Sequence, residues 1–361
     1  MFKSISIEGL RGIKHLEIDD LQRVNLLVGK NNCGKTTVLE AILLITAPTN
    51  AELPLKINLV RGLKEINENT WKTLYNKMNI EENIKISGKM QGNEIRNLII
   101  KPNSGKRIIS KLAKNNFEKK VFEIKDNISG ISPSIDGLVM ELSITKGKSR
   151  HVEKATAMIT ENNQNQNIEI QIPAGYKEII KCVFINGKTV SSDIGEKFDN
   201  IQVKKQTGSI IKILRQIEPS LDNLVMGVNE MINCDIGMDN LLPLSVMGDG
   251  MIKLLSVILS ISNTQDGVVL IDEIENGFHY SAMEVLWQAV FDAAKEFNVQ
   301  VFATTHSYEC VKAFNSACSK IGRKIDGIRL FRIEKQDDDF GVVAYDNEIL
   351  KASLESDWEV R

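Results

Sequence analysis

Residues 29–36 read Gly-Lys-Asn-Asn-Cys-Gly-Lys-Thr and match the pattern G-x-x-x-x-G-K-[ST] at every specified position. An apolar run, Val24–Val28, precedes this segment, and a mainly apolar stretch typical of a buried helix follows it. In such a strand–loop–helix setting, backbone N–H groups and the helix N-terminus bind phosphate oxygens. A glycine-rich turn without function is the alternative, and the flanking strand and helix disfavour it.

The phosphate-loop pattern assigns a role to each of its polar residues. Lys35 is expected to reach the β- and γ-phosphates of a nucleoside triphosphate, and the Thr36 hydroxyl to bind Mg²⁺. The predicted nucleotide-binding residues of this segment are Gly29, Lys30, Asn31, Asn32, Cys33, Gly34, Lys35, Thr36 and Thr37.

A second candidate element is an apolar strand that ends in two acids, Asp272 and Glu273. This is the Walker B arrangement, in which the first carboxylate holds Mg²⁺ and the second activates water. A solvated strand end has the same appearance. The phosphate loop elsewhere in the chain favours the catalytic interpretation, with Asp272 as metal ligand and Glu273 as base.

Two further elements indicate the class of phosphate-loop protein. Residues 244–250, Leu-Ser-Val-Met-Gly-Asp-Gly, place Ser245, Gly248 and Gly250 at the start of an apolar helix, where ABC ATPases keep their signature motif. A strand at residues 302–304 leads to His306, which matches the ABC switch histidine that senses the γ-phosphate. A simple turn and a structural histidine are the alternatives. The order of all four elements favours the ATPase.

The elements that must position these residues alternate between strand and helix towards the end of the chain. This alternation predicts parallel strands with helical crossovers. Short runs near the N-terminus predict strands around residues 4–8, 15–18 and 24–28, followed by a helix at 37–45. The later predictions are a helix from residue 251, strands at 267–271 and 299–304, a helix at 281–297, and a hairpin at 327–344.

The middle of the chain has a different pattern. Residues 83–172 alternate between apolar and polar positions and predict an antiparallel β lobe, while 59–75 and 209–232 have helical spacing. No heptad repeat persists long enough for a coiled-coil arm. The predicted fold is therefore α/β: a P-loop NTPase of the ABC-ATPase head type, in which helices flank a mixed, largely parallel sheet. Residues 1–50 and 240–361 would form the core, and 50–240 an inserted β lobe with a short helical segment.

The overall charge excludes a strong global attraction to nucleic acid or anionic membranes. The chain has 45 Lys and Arg against 47 Asp and Glu, a formal net charge of −2. Any DNA contact must be local, and two basic clusters, at 101–125 and 145–154, are the candidates. Solvated faces are the alternative, because only Phe117 and Phe122 supply aromatic side chains there.

Cysteine usage and hydropathy indicate the compartment. The five cysteines, Cys33, Cys182, Cys234, Cys310 and Cys318, form no C-x-x-C pair, which fits a reducing cytoplasm better than a disulfide framework or a zinc site. The N-terminus lacks the apolar core of a signal peptide, and the apolar run at 38–47 is too short for a membrane span. A cytoplasmic protein without a membrane segment is expected.

The motifs together resemble those of the OLD (overcoming lysogenization defect) family and its stand-alone AAA-type relatives. The similar segments are FKSISIEGLRGI, NLLVGKNNCGKTTVLEAI, PLSVMGDGM, LIDEIENGFH and FATTHS, and they are more distantly similar to RecF and SMC heads. The resemblance implies ATP held between two heads of a homodimer or higher oligomer. Lys35 and Thr36 of one chain would face Ser245, Gly248 and Gly250 of the other, with Asn276 at the interface.

The resemblance is incomplete in two respects. The glutamine of the ABC Q-loop is not identifiable, and Gln91, Gln164 and Gln166 are candidates without a supporting pattern. The stretch after His306 is shorter than the Toprim nuclease domain of OLD nucleases. The Asp337–Asp339 run there lies in a polar bend, which favours a solvated turn over a metal site. We expect no nuclease chemistry in this chain and a separate Toprim-type nuclease or toxin as its partner in phage defence.

Two other functions are open. A RecF- or SMC-like repair or recombination ATPase would bind DNA with the heads themselves. The nucleotide-binding subunit of an ABC transporter is disfavoured, because the segment after Glu273 reads I-E-N-G-F-H rather than S-x-L-D and the signature has G-D-G rather than S-G-G-Q.

Overall fold

The computed structural model describes residues 1–48, 50, 52–63, 68–103, 117–123, 137–147, 152–162, 167–173, 180–186, 193–321, 327–337, 339–356 and 358–360. The strands in these residues are β1 Phe2–Leu10, β2 Ile13–Ile18, β3 Val24–Val28, β4 Ile84–Met90, β5 Glu94–Asn103, β6 Phe117–Glu123, β7 Gly137–Lys146, β8 Val152–Asn162, β9 Asn167–Pro173, β10 Cys182–Ile185, β11 Asn223–Met226, β12 Ile232–Asp235, β13 Leu242–Pro243, β14 Val268–Ile271, β15 Gln300–Thr304, β16 Ile328–Gln336 and β17 Asp339–Tyr345.

Helices connect many of these strands. They are α1 Lys35–Thr46, α2 Leu53–Val60, α3 Glu68–Lys72, α4 Ile194–Val203, α5 Thr207–Leu214, α6 Asp249–Asn263, α7 Met283–Glu296, α8 Tyr308–Ile321 and α9 Asn347–Glu355, with 3₁₀ turns at Asn76–Met78, Val228–Glu230, Leu244–Val246 and Tyr280–Ala282. Within the described ranges, none of the helices has both the length and the apolar character needed to cross a bilayer.

A six-stranded mixed sheet carries the motifs. Its order is β10-β14-β15-β3-β16-β17, and all its strands are parallel except β17, which returns from β16 as a hairpin. The predicted parallel sheet with helical crossovers is confirmed. Because β15 lies between β14 and β3, three neighbouring strands end at the same edge, and their following residues carry the acid pair, His306 and the phosphate loop.

The second large sheet is antiparallel, in the order β2-β1-β4-β5-β7-β8-β9-β6. It confirms the predicted antiparallel lobe, although two of its strands, β1 and β2, come from the N-terminal segment. Conversely, the parallel sheet includes one strand from the middle of the chain, β10, which pairs with β14. The domain division at residues 50 and 240 stays a prediction, and strand pairing crosses it at both places.

Helix α1 lies between the two sheets. Its buried side chains, such as Val38 and Ile42, share one apolar cluster with β1, β4 and β5 and with one face of the parallel sheet. Helices α6, α7 and α8 cover the other face in a second cluster. Both faces of β3 are therefore buried, which explains its continuous apolar sequence rather than an alternating one.

The helical prediction for 209–232 is wrong beyond Leu214. Helix α5 ends there, and Leu224 lies in β11 of a small antiparallel sheet, β11-β12-β13. Pro219 has no backbone N–H and cannot continue a helix, and the Leu221 N–H instead bonds Glu218 O in a turn. Leu221 and Leu224 are nevertheless buried, so their apolar spacing indicates which side chains are buried but not that the segment is helical. The helix predicted at 59–75 is confirmed only in part, because the range contains the end of α2 and the short helix α3.

Gln300 joins the two large sheets at the start of β15. Its Oε1 accepts the Phe2 N–H at 2.7 Å, and its Nε2 donates to Phe2 O at 2.9 Å and to Gln22 O at 2.8 Å. The side chain is fully buried. One amide thus bonds three backbone groups, of which the two of Phe2 are buried.

We expect Gln300→Leu to lower the free energy of unfolding by roughly 2 to 4 kcal/mol, because the two Phe2 backbone groups lose this side-chain partner in a buried site. Gln22 O keeps its hydrogen bond from Asn25 Nδ2 at 2.7 Å. Urea denaturation followed by circular dichroism measures this change. Gln265→Leu, in the exposed turn after α6, is the control and should change stability by less than about 0.5 kcal/mol. Equal unfolding midpoints for the two variants would contradict the role assigned to Gln300.

Candidate functional site

The loop between β3 and α1 has the backbone shape of an anion-binding loop. Asn32 and Gly34 have left-handed φ values of 64° and 89°, and Gly29 has a φ of 141°. A Cβ atom at Gly29 would collide with Ile333 O, so only glycine fits. Gly34 precedes α1, and no side chain caps the helix. The first N–H groups of α1 are therefore available to an anion.

Lys35 lies over this loop. Its Nζ donates to Gly29 O at 2.7 Å and to Lys30 O at 3.0 Å, so the loop's own carbonyls hold the ammonium group in place. Gly29 and Lys30 border an adjoining pocket that also contains His306. The remaining predicted residues of the segment line the main cleft, of about 650 Å³; they are Asn31, Asn32, Cys33, Gly34, Lys35, Thr36 and Thr37.

The Asp272 carboxylate joins the ends of two strands to the start of α1. Thr36 Oγ1 donates to its two oxygens at 3.1 and 3.0 Å, and Thr304 Oγ1 donates to Oδ1 at 2.6 Å. Thr304 is fully buried at the end of β15. Thr36 and Asp272 were predicted, whereas Thr304 was missed, because a threonine at the end of a strand carries no distinctive sequence signal.

Glu273 is held in an uncommon backbone conformation. Its φ is 52°, which L side chains rarely adopt, and its N–H donates to Thr304 Oγ1 at 2.8 Å. The side chain is about half exposed at the cleft, and its Oε2 accepts from Asn276 Nδ2 at 2.6 Å. The structure thus brings together Glu273 and Asn276, which the sequence analysis assigned to different roles.

His306 lies at the same edge, with its side chain about half exposed to the cleft. Its Nδ1 is 3.2 Å from Glu275 Oε1 and 3.8 Å from Glu273 Oε1. Sequence reasoning did not single out Glu275, although it is a third acid close behind Asp272. The predicted residues Lys35, Thr36, Asp272, Glu273 and His306 all line one cleft.

Two arginines at the cleft were also missed. Glu40 on α1 is buried and accepts from Arg11 Nε and from Arg61 Nε, both at 2.7 Å, and Arg11 also donates to Asn58 Oδ1 at 2.9 Å. Burial lowers the pKa of Arg11, while the neighbouring Glu40 acts in the opposite direction. A guanidinium stays charged in proteins, so both arginines place positive charge beside the phosphate loop.

The signature segment lies elsewhere. Ser245 and Gly248 are exposed, Gly250 faces open space, and none of the three lines the cleft that contains the phosphate loop of the same chain. Gly248 has a φ of 92° and precedes α6, whose N-terminus no side chain caps. Ser245, Gly248 and Gly250 therefore form a second candidate anion site on a different surface.

Several other candidates lie away from the cleft or outside the described residues. Gln91 follows β4 next to the Phe2 end of β1, whereas Arg11 at the other end of that strand borders the cleft. Gln164, Gln166 and most of the basic clusters at 101–125 and 145–154 are outside the described residues. Asp337 has a φ of 53° in the β16–β17 turn, which is the expected bend.

Comparison with known proteins places this geometry in a family. The family model described as "AAA ATPase domain" matches residues 1–70 and 49–311 of the chain. The chain belongs to this AAA ATPase domain family. As a member of the family, the protein is an ATPase that hydrolyses ATP, and the cleft described above is its candidate nucleotide site.

Individual relatives of this AAA ATPase domain are distant. An ATP/GTP phosphatase of Helicobacter pylori is 23% identical over 339 residues, which cover 86% of this chain and 87% of that protein. An uncharacterised protein of Methanocaldococcus jannaschii is 36% identical over 115 residues, 32% of this chain and 90% of that protein. The structure of "the SmcHead bound to the C-winged helix domain of ScpA" is 12% identical, with a TM-score of 0.50 over 97% of this chain and 99% of that one. This likeness shows the fold of an SMC or ABC-type ATPase head.

The donor atoms of the AAA ATPase cleft fit ATP with Mg²⁺. Thr36 and Asp272 offer hydroxyl and carboxylate oxygens within about 3 Å of each other, which are the hard ligands that Mg²⁺ prefers. Nucleotide-bound Mg²⁺ needs only one or two protein ligands, because phosphates and water complete its shell. The open N–H groups of α1, together with Lys35, match the phosphate oxygens.

We expect Lys35→Ala to abolish ATP binding, because the variant lacks the cation that the loop holds against the phosphates. Isothermal titration calorimetry with ATP and Mg²⁺ measures the affinity. Lys56→Ala, which removes an exposed lysine of α2, is the control and should bind as the unmodified protein does. Unchanged affinity in the Lys35 variant would remove the phosphate-loop assignment.

Proposed function

We propose that two copies of the chain share each ATP. The cleft of one copy supplies Lys35, Thr36, Asp272 and the phosphate loop, and Ser245, Gly248 and Gly250 of the other close over the γ-phosphate, with Asn276 at the interface. The observation that carries this proposal is the position of the signature segment, which is exposed and outside the cleft of its own chain.

Hydrolysis follows from the groups at the cleft. Thr36 and Asp272 would hold Mg²⁺, which would supply positive charge beside the phosphates, and Lys35 binds the β- and γ-phosphates. A water molecule attacks the γ-phosphorus and transfers a proton to Glu273, while the bond to the β-phosphate oxygen breaks and ADP leaves. His306 contacts the γ-phosphate and so distinguishes the triphosphate from the product.

The shared site makes association depend on the nucleotide. Contacts between a γ-phosphate and the N-terminus of α6 in the partner stabilise the dimer for as long as ATP is intact, and hydrolysis removes them. We propose that this cycle operates in the cytoplasm to hold or release a separate nucleic-acid-directed effector, such as a Toprim-type nuclease or a toxin, in phage defence. The resemblance of five sequence segments to the OLD family supports this role.

A RecF- or SMC-like DNA-binding ATPase is the second candidate, favoured by the likeness to the SMC head. The two functions differ in what the chain binds alone. ATP-dependent DNA binding that weakens steeply with salt would favour the second. Co-purification with the product of a neighbouring gene, in ATP but not in ADP, would favour the first.

We expect Glu273→Gln to bind ATP normally and to hydrolyse it hundreds of times more slowly, because general-base catalysis contributes about 10² to 10⁴ to such rates. Single-turnover measurement of phosphate release gives the rate. Glu296→Gln at the end of α7, away from the cleft residues, is the control. Normal turnover in the Glu273 variant would require another base.

Mixing two inactive variants tests the shared site. A Lys35→Ala chain lacks the phosphate-binding cation but keeps its signature, and a Ser245→Arg chain has a blocked signature but an intact cleft. Each should be inactive alone, and mixed dimers should regain part of the ATPase rate, because one of their two sites is complete. No recovery at any mixing ratio would exclude a composite site between two copies.

A further inference from the structure

Glu275 is a buried acid that no step of the hydrolysis uses. It lies in the turn after β14, its side chain is 8% exposed, and its Oε2 is enclosed without a hydrogen-bond partner among the described residues. Burying a carboxylate is unfavourable unless hydrogen bonds or opposite charges compensate. The contacts that offset this cost are made by the other carboxylate oxygen, Oε1.

Among the described residues, both partners of that oxygen belong to His306. The His306 backbone N–H donates to Glu275 Oε1 at 3.1 Å, and the ring nitrogen Nδ1 is 3.2 Å from the same atom. A carboxylate only accepts hydrogen bonds, so Nδ1 must carry the proton of this contact. The neutral imidazole is then the Nδ1–H tautomer, and Nε2 is the ring nitrogen left for a ligand in the cleft.

The arrangement also separates His306 from the candidate base. Glu273 Oε1 is 3.8 Å from the same Nδ1, farther than Glu275 Oε1, and Glu273 Oε2 is engaged by Asn276. Because the Nδ1–H of His306 bonds Glu275, it does not also bond Glu273 Oε1. Cys310 on α8 is a further titratable group near Glu275, and burial raises the pKa of its thiol to about 12, with Glu275 adding to the effect. Cys310 therefore brings no charge.

We propose that Glu275 is the positioning residue of His306: its buried carboxylate accepts from Nδ1–H of the ring, turns Nε2 towards the cleft and leaves Glu273 free to accept a proton from water. A phosphate oxygen is itself an acceptor, so the ring binds the γ-phosphate through Nε2–H as an imidazolium, with its Nδ1–H still on Glu275. The inference rests on the proposed contact between His306 and the γ-phosphate. It assigns to Glu275 a role that works through the histidine, without contact to ATP.

Kinetics of Glu275→Gln test this role. The glutamine keeps the shape of the side chain and an acceptor oxygen but loses the charge and adds an N–H₂ group that competes for the ring nitrogen. We expect kcat to fall about 10- to 100-fold, as for other residues that orient a ligating or catalytic histidine, and KM for ATP to change less than about threefold. Glu284→Gln on α7, which removes a carboxylate that binds Ser316 and Lys320 away from the cleft, should leave both constants unchanged.

A double-mutant cycle separates positioning from a general structural effect. In the His306→Ala background, Glu275→Gln should cause little further loss of kcat, because its effect passes through the missing ring. If the double variant instead lost kcat by the product of the two single-variant factors, the proposal would be overturned. A slow His306→Ala with a fully active Glu275→Gln would also overturn it, while leaving the role of His306 intact. A fully active His306→Ala would instead remove the γ-phosphate contact of the proposed function, and this inference with it.

The tautomer is visible directly. The chain has four histidines, so long-range ¹H–¹⁵N spectra of histidine-labelled full-length protein are simple, and a His306→Gln variant assigns the resonances of interest. We expect Nδ1 to carry the proton in the unmodified protein and the tautomer population to shift in Glu275→Gln. Observation of the Nε2–H tautomer in the unmodified protein would refute the proposal, independently of any effect on folding or turnover.

Discussion

The carboxylate of Asp272 is the interaction on which the rest of the site depends. It accepts hydrogen bonds from Thr36 at the start of α1 and from Thr304 at the end of β15, and it follows β14 itself. One acid thereby fixes the relative positions of the phosphate loop and of the strand ends that lead to Glu273 and His306. The Thr36 hydroxyl only has to rotate its hydrogen away for its oxygen and the carboxylate to face a cation together.

Both sheets contribute to the cleft, although only the parallel sheet contains the ATPase motifs. The antiparallel sheet brings Arg11 from the end of β1, and Glu40 on α1 holds it beside Arg61. At the other end of β1, Gln300 bonds the Phe2 backbone and fixes this strand against β15. The antiparallel lobe is thus part of the frame of the site and not an appendage, because the position of Arg11 depends on that of β1.

The parts of the site that can be predicted from the sequence are those formed by consecutive residues. The phosphate loop and the acid pair are contiguous, and the loop's conformation follows from its own glycines. Glu40 on α1 meets Arg61 just after α2, and Thr304 meets Asp272 across a helical crossover, so these pairs depend on helix packing and strand order that no single segment encodes. The wrong helix after Leu214 has a related cause, since apolar spacing reports burial and a short strand can satisfy it equally well.

The turn that carries Glu273 lies against α6, the helix that begins at the segment 244–250. Gly277 has a φ of 81°, and a Cβ atom there would collide with the end of the Lys253 side chain, which extends from the first turns of α6. Its neighbour Asn276 donates to Glu273. The end of the Lys253 side chain therefore lies against this turn, next to the residue whose amide contacts the Glu273 carboxylate. Lys253 and Asn276 thus lie between the start of α6, which is proposed to touch the γ-phosphate of another copy, and Glu273, the candidate base for the chain's own nucleotide.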